Sequence, residues 1–201
     1  MGRRERIGAY LLILLAFGLR LWRLTESPLW YDETFVLYHA EHGPVGALLG
    51  LLREDNVFPL HGVLLSVWVA WVGTGEFVLR FSSVLLGLPV VPLLGRWARE
   101  LRRGKGGWGA MLVAAALPIF VYYNQEVRWP TLATPLAALL GIQGWRLLQG
   151  RGSGFAYLLS GVAALLAHPF AVLLWICLLY TSDAADEGLR VDLGGRRIIK
   201  K

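Results

Sequence analysis

Six apolar stretches of 15 to 22 residues follow one another along the chain, and they constrain it more than any other feature. They are Ile7–Leu24, Val57–Val72, Phe81–Gly95, Trp108–Tyr123, Thr131–Trp145 and Phe155–Ile176. Crossing a hydrocarbon core of about 30 Å takes roughly 20 apolar residues at 1.5 Å each. Of 201 residues, 56% are hydrophobic and 17% charged, and the mean hydropathy is +0.52. A water-soluble domain of this length cannot bury so much apolar side chain. The same figures exclude a disordered chain, and a single cysteine, Cys177, excludes a disulfide framework. An all-α, polytopic transmembrane bundle is the class that remains. In that class the net charge of +6 reads as loop topology, and no nucleic-acid partner is expected.

The basic clusters orient the segments. They lie at Arg3, Arg4 and Arg6; at Arg96, Arg99, Arg102, Arg103 and Lys105; and at Arg146 and Arg151. Were all six segments to cross from a cytoplasmic N-terminus, the last two clusters would fall outside, against the positive-inside rule. With Val57–Val72 lying along the outer surface, every basic cluster is cytoplasmic and the acidic stretch from Glu26 to Glu76 is external. That segment has only 16 residues, with Pro59 and His61 near its start. The expectation is five crossings plus juxtamembrane helices in the first outer loop. Arg20 and Arg23 then sit at the outer end of the first span and must snorkel to the headgroups. Asp32, Glu33, Arg80, Gln125, Glu126 and Arg128 gather at the outer face, which makes a site hypothesis.

Composition shifts after Ile176. Residues 177–187 and 191–199 resemble the translation of the transposase-end adapter used in short-read library preparation. Residues 1–176 are therefore expected to be the N-terminal part of a longer membrane domain, and 177–201 a non-native tail excluded from fold reasoning. Without the tail, 15 basic residues stand against 10 acidic ones, and the charge is +5.

Three motifs in order carry a family resemblance. Ser27-Pro28-Leu29-Trp30-Tyr31-Asp32-Glu33 is similar to an aromatic-x-Asp-Glu signature. Asn56–Trp71, followed by Glu76-Phe77-Val78-Leu79-Arg80, is similar to a His-Pro-Pro-Leu helix and Glu-Phe-x-x-Arg. Tyr122-Tyr123-Asn124-Gln125-Glu126-Val127-Arg128 is close to Tyr-Tyr-Ser-Gln-Glu-x-Arg. Together they resemble bacterial glycosyltransferases of the GT-C superfamily, relatives of the protein mannosyltransferases and of the lipid A aminoarabinose transferase. Phe58-Pro59-Leu60 departs from His-Pro-Pro, with His61 one helical turn on, and Trp129-Pro130 stands where the family more often has Met-Tyr.

The resemblance implies sugar transfer from a polyprenyl-phosphate carrier to an acceptor glycan, lipid or protein, at the outer face of a bacterial inner membrane. Asp32 is the implied base, and Glu33 orients it or shares a divalent cation with Asp32 and Glu126, the one cofactor considered. Arg80 either binds the carrier phosphate or snorkels. Arg128 grips phosphate and Glu126 holds a metal, the base or the sugar, or the two form a local structural cap, and Gln125 contacts the sugar. His168, beside Pro169, is either a satisfied polar residue between helices or a cavity contact. A lipid-linked sugar transporter or flippase, or a non-catalytic membrane subunit, is the alternative.

Overall fold

The computed structural model describes residues 3–53, 59–102, 104, 106–178 and 180. Arg103 and Lys105 of the basic loop, the motif residues Asn56 to Phe58 and the tail from 181 on lie outside the described residues. The described chain is all-α, with no strand among these residues. Its helices are α1 (Arg3–Leu21), α2 (Tyr31–Ala40), α3 (Gly43–Arg53), α4 (Pro59–Val72), α5 (Glu76–Gly87), α6 (Val90–Leu101), α7 (Gly107–Ala116), α8 (Pro118–Asn124), α9 (Pro130–Leu148) and α10 (Gly154–Ala167).

Prolines set many of the boundaries. Pro59, Pro118 and Pro130 each open a helix, where a missing N–H is harmless. Gly43 adopts a positive φ of 76°, which lets α2 stop and α3 start within two residues. Pro89 does not interrupt the chain direction, and α5 with α6 makes one helix of 26 residues, Glu76–Leu101, about 39 Å long. This is longer than the segment Phe81–Gly95 expected from hydropathy. It is the one described helix long and apolar enough by itself to cross a bilayer, and α7 with α8 meets the same measure as one span broken by 55°.

The last apolar segment departs from expectation. Instead of running unbroken to Ile176, α10 ends at Ala167 because His168, before Pro169, takes an extended conformation (φ −163°, ψ 128°). Residues 171–178 are again helical, but they turn back. Trp175 packs on Tyr157 with ring centroids 6.1 Å apart, and Leu178 sits against Gly144 and joins the cluster of Leu140, Tyr157 and Ala164.

Contacts at the helix ends fix the direction of α1 and of α5 to α10. Gly8 faces the Trp108 ring, while Arg20 reaches Ala114, Ala115 and Asn124, so α1 runs parallel to α7 and α8. Arg80 meets the loop after α1, and Arg146 pairs with Glu100. Helices α5–α6 and α9 therefore run the other way, and α10 reverses again, bringing His168 to Trp129. Small residues allow close approach where α1, α6 and α7 meet, in the cluster Ala16, Val90, Val91, Met111, Ala114 and Ala115. Helices α2, α3 and α4 pack together at the end that holds the three motifs. On the outside of α1, Tyr10, Leu11, Leu14 and Leu15 are exposed.

Arg20 is not a snorkelling residue. It is fully buried and repairs the break between α7 and α8. Pro118 has no N–H for the Ala114 carbonyl, and Arg20 Nη2 donates to that oxygen at 3.0 Å. Its Nη1 donates to Ala115 O at 3.1 Å and to Ala16 O at 3.0 Å, and its Nε to Asn124 Oδ1 at 2.7 Å. A Cβ on Gly87 would occupy the space of the Asn124 amide. Arg20→Met leaves two buried carbonyls without donors, at about 1–3 kcal/mol each. The expected outcome is a thermal midpoint, followed by circular dichroism in detergent, well below that of the parent chain; an unchanged midpoint refutes the repair role.

Candidate functional site

Two acidic residues adjacent in sequence have opposite fates because successive helix positions diverge by about 100°. Asp32 and Glu33 both lie in the first turn of α2. Glu33 turns inward and is 1% exposed. Its Oε2 accepts from the Trp30 N–H at 2.9 Å, capping α2, and its Oε1 accepts from the Val127 N–H at 2.9 Å. Arg80, 2% exposed, completes the arrangement as a bidentate partner, with Nη2 to Oε2 at 2.9 Å and Nε to Oε1 at 3.2 Å. Burial pushes the Glu33 carboxyl up, but the Arg80 hydrogen bonds, the Trp30 and Val127 amides and the Arg80 charge outweigh it. The net effect holds the carboxyl below the usual carboxylate range.

The rest of the Arg80 guanidinium is committed to backbone carbonyls, at the wall of a cavity it shares with Trp30 and Glu126. Its Nη1 donates to Leu24 O (3.0 Å) and Ser27 O (2.7 Å), and Nη2 also donates to Pro28 O (3.1 Å). All five guanidinium N–H groups are thereby used, and the residue locks the loop 24–28 onto α5. Glu33 is the other half of this lock, a position from which it fixes the backbone beside Asp32.

Asp32 faces outward and is half exposed. It pairs with Arg128 Nη2 at 2.8 Å, and Arg128 Nη1 stands 3.5 Å from Glu126 Oε2. A turn between α8 and Pro130 lets Glu126 and Arg128 point to the same region, with the Arg128 N–H donating to the Glu126 carbonyl at 2.9 Å. Asp32 and Arg128 line a cavity of about 240 Å³ together with Tyr31, Phe35, Val36, Leu51, His61 and Trp129. A second cavity of about 570 Å³ opens beside Trp22, Arg23, Trp30, Tyr122, Gln125 and Glu126. The segment Trp30–Glu33 lies between the two.

Gln125 and His168, the other expected site residues, make their polar contacts within the protein. Gln125 gives its amide N–H groups to Arg20 O at 3.2 Å and Trp22 O at 2.7 Å, closing the end of α1. His168 stacks on Trp129 at 3.9 Å between centroids, and its Nδ1 accepts from the Phe170 N–H at 3.1 Å. That is the satisfied-polar reading. Among the described residues no three His, Cys, Asp or Glu side chains converge as a metal site. Glu33 faces away from Asp32, and Arg128 bridges Asp32 and Glu126, so these three carboxylates, considered as holders of a divalent cation, do not converge in this structure.

The sequence reading missed Arg20 and Asn124 as partners and left His61 without a place. The signal for Arg20 was present: a charge inside an apolar segment marks a buried polar contact. Comparison with protein-family models, with curated proteins and with solved structures gave no match to this chain.

The lock makes a pH prediction. Because the folded Glu33 carboxyl titrates below its unfolded value of about 4.3, its stabilisation is complete above that value and is lost as pH falls through the folded one. Glu33→Gln is expected to destabilise by about 3–5 kcal/mol at neutral pH by leaving Arg80 unpaired, and to flatten the acid limb of the midpoint-against-pH curve. A variant with the parent's acid limb contradicts the assignment.

Proposed function

We propose that this chain is part of a polytopic membrane glycosyltransferase of the GT-C type, using a polyprenyl-phosphate sugar donor at the outer face of the membrane. The observation that carries the reading is Asp32. It is a half-exposed carboxylate on a cavity wall, held at 2.8 Å from Arg128 and fixed in direction by the buried lock formed by its neighbour Glu33. The membrane part of the reading draws support from the antiparallel passes, the 26-residue apolar helix and the exposed leucines along α1. Surface of that kind suits lipid, not water. A flippase needs charges along a path through the bundle. Here Asp32, Glu126 and Arg128, the charged groups left facing the cavities, gather at one end, which favours chemistry over transport.

In this mechanism Asp32 accepts the proton of an acceptor hydroxyl as that oxygen attacks the anomeric carbon, and the bond to the lipid phosphate breaks. The phosphate leaves with the electron pair. As Asp32 gains its proton, the positive charge of Arg128 is less compensated and becomes available to the departing phosphate. Restricted water near the membrane rim strengthens both effects.

Two experiments test the proposal. In the full-length gene product, Asp32→Asn is expected to lower sugar transfer by about 10²–10⁴-fold while insertion is unchanged; retained transfer removes Asp32 as base. In a Cys177→Ser background, single cysteines at Thr74 and Gly104, at opposite ends of the 26-residue helix, test the topology. An impermeant reagent added outside should label the Thr74 site and spare the Gly104 site, and the reverse pattern overturns the orientation.

A further inference from the structure

His61 is the group that the proposed chemistry does not use. It lies in the first turn of α4, is 2% exposed, and lines the Asp32 cavity. Its Nε2 has no hydrogen-bond partner among the described residues. A buried polar atom left unpaired costs about 1–3 kcal/mol, and such atoms in native structures call for an explanation. The imidazole gives or takes a hydrogen bond according to its tautomer, so a hydroxyl suits either state.

The rest of the cavity narrows the chemistry. Its one arginine, Arg128, is already shared between Asp32 and Glu126, so little free positive charge is left for an anion. Burial pushes the His61 imidazole down to about 4, so the ring is neutral at pH 7 and adds no cation. Tyr31, Phe35 and Trp129 supply flat apolar faces. The volume, about 240 Å³, lies just under the roughly 300–1,000 Å³ of ordinary small-molecule sites, which suits one ring and not an oligosaccharide.

We infer that this cavity takes a neutral, hydroxyl-bearing sugar ring, not a phosphate, and that His61 is a specificity-determining contact to one of its hydroxyls. The inference rests on the glycosyltransfer reading for its choice of ligand class. The sugar is the acceptor ring whose other hydroxyl faces Asp32, while the lipid-linked donor approaches from outside this cavity.

The test uses the full chain in lipid nanodiscs with ¹⁵N-labelled histidine rings, titrated with methyl glycosides of common hexoses and N-acetylhexosamines, and separately with inorganic phosphate. At least one glycoside should move the His61 ring resonances saturably. His61→Phe should weaken that glycoside about tenfold, the worth of one hydrogen bond. His61→Gln, which keeps a polar group, should recover part of the loss and guards against a folding defect. Phosphate should neither move His61 nor displace the glycoside. No glycoside response, equal binding by His61→Phe, or displacement by phosphate overturns the inference. The two proposals fail separately. Loss of transfer in Asp32→Asn with an unresponsive His61 sinks only this one; glycoside binding that depends on His61, with transfer intact in Asp32→Asn, sinks only the base.

Discussion

The contact between Glu33 and Arg80 joins four parts of the chain that are far apart in sequence. Through it the loop 24–28, the start of α2, the first turns of α5 and the turn at Val127 become one unit. Taken as a charge pair alone, a buried salt bridge adds little, because desolvating both ions offsets most of their attraction. Here its value lies in saturation. Every guanidinium N–H has an acceptor, and each carboxylate oxygen accepts one backbone amide as well as the arginine. An arrangement that leaves no donor idle tolerates few alternatives, so it fixes register. Asp32 inherits that definition, since its backbone is pinned by the next residue.

A second polar lock lies at the same end of the bundle and answers a different need. The break at Pro118 exposes carbonyls that no helix can satisfy, and Arg20 supplies three of its N–H groups to Ala16, Ala114 and Ala115. In an environment without water, such carbonyls must find partners inside the protein. Asn124 ties Arg20 to the third motif, and Gln125 closes α1. Most of Asn124-Gln125-Glu126-Val127-Arg128 is therefore spent on holding the motif's own turn in place, which leaves Glu126 and Arg128 to face the cavities.

The helical class was legible from the spacing of apolar segments, and the proline positions marked many ends. Pro169 was also legible, yet hydropathy alone merged α10 with residues 171–178. Hydropathy counts apolar side chains and does not see that the residue before a proline avoids the helical region. Within the candidate site, the motifs marked residues that the fold brings together but not the direction of their side chains. Nothing in the letters Asp32-Glu33 says which carboxylate faces inward; that depends on the register of α2 against α5. The partners of Arg80 were illegible for a similar reason. Its acceptors are the carbonyls of Leu24, Ser27 and Pro28, and backbone oxygens carry no sequence signature. His61 was visible only as a departure from a motif, and its place in a cavity follows from how α4 packs on α2 and α3.

The two carboxylate–arginine pairs differ in what they permit. Glu33 and Arg80 are sealed, so a proton reaching Glu33 would strand a buried guanidinium, and the pair is compatible with only one charge state. Asp32 and Arg128 meet at an open cavity, where solvent and the nearby Glu126 soften the change in charge. Under the proposed glycosyltransfer, a proton taken up by Asp32 leaves the buried pair of Glu33 and Arg80 undisturbed. In that proposal the sealed pair has the structural role and the open one the chemistry.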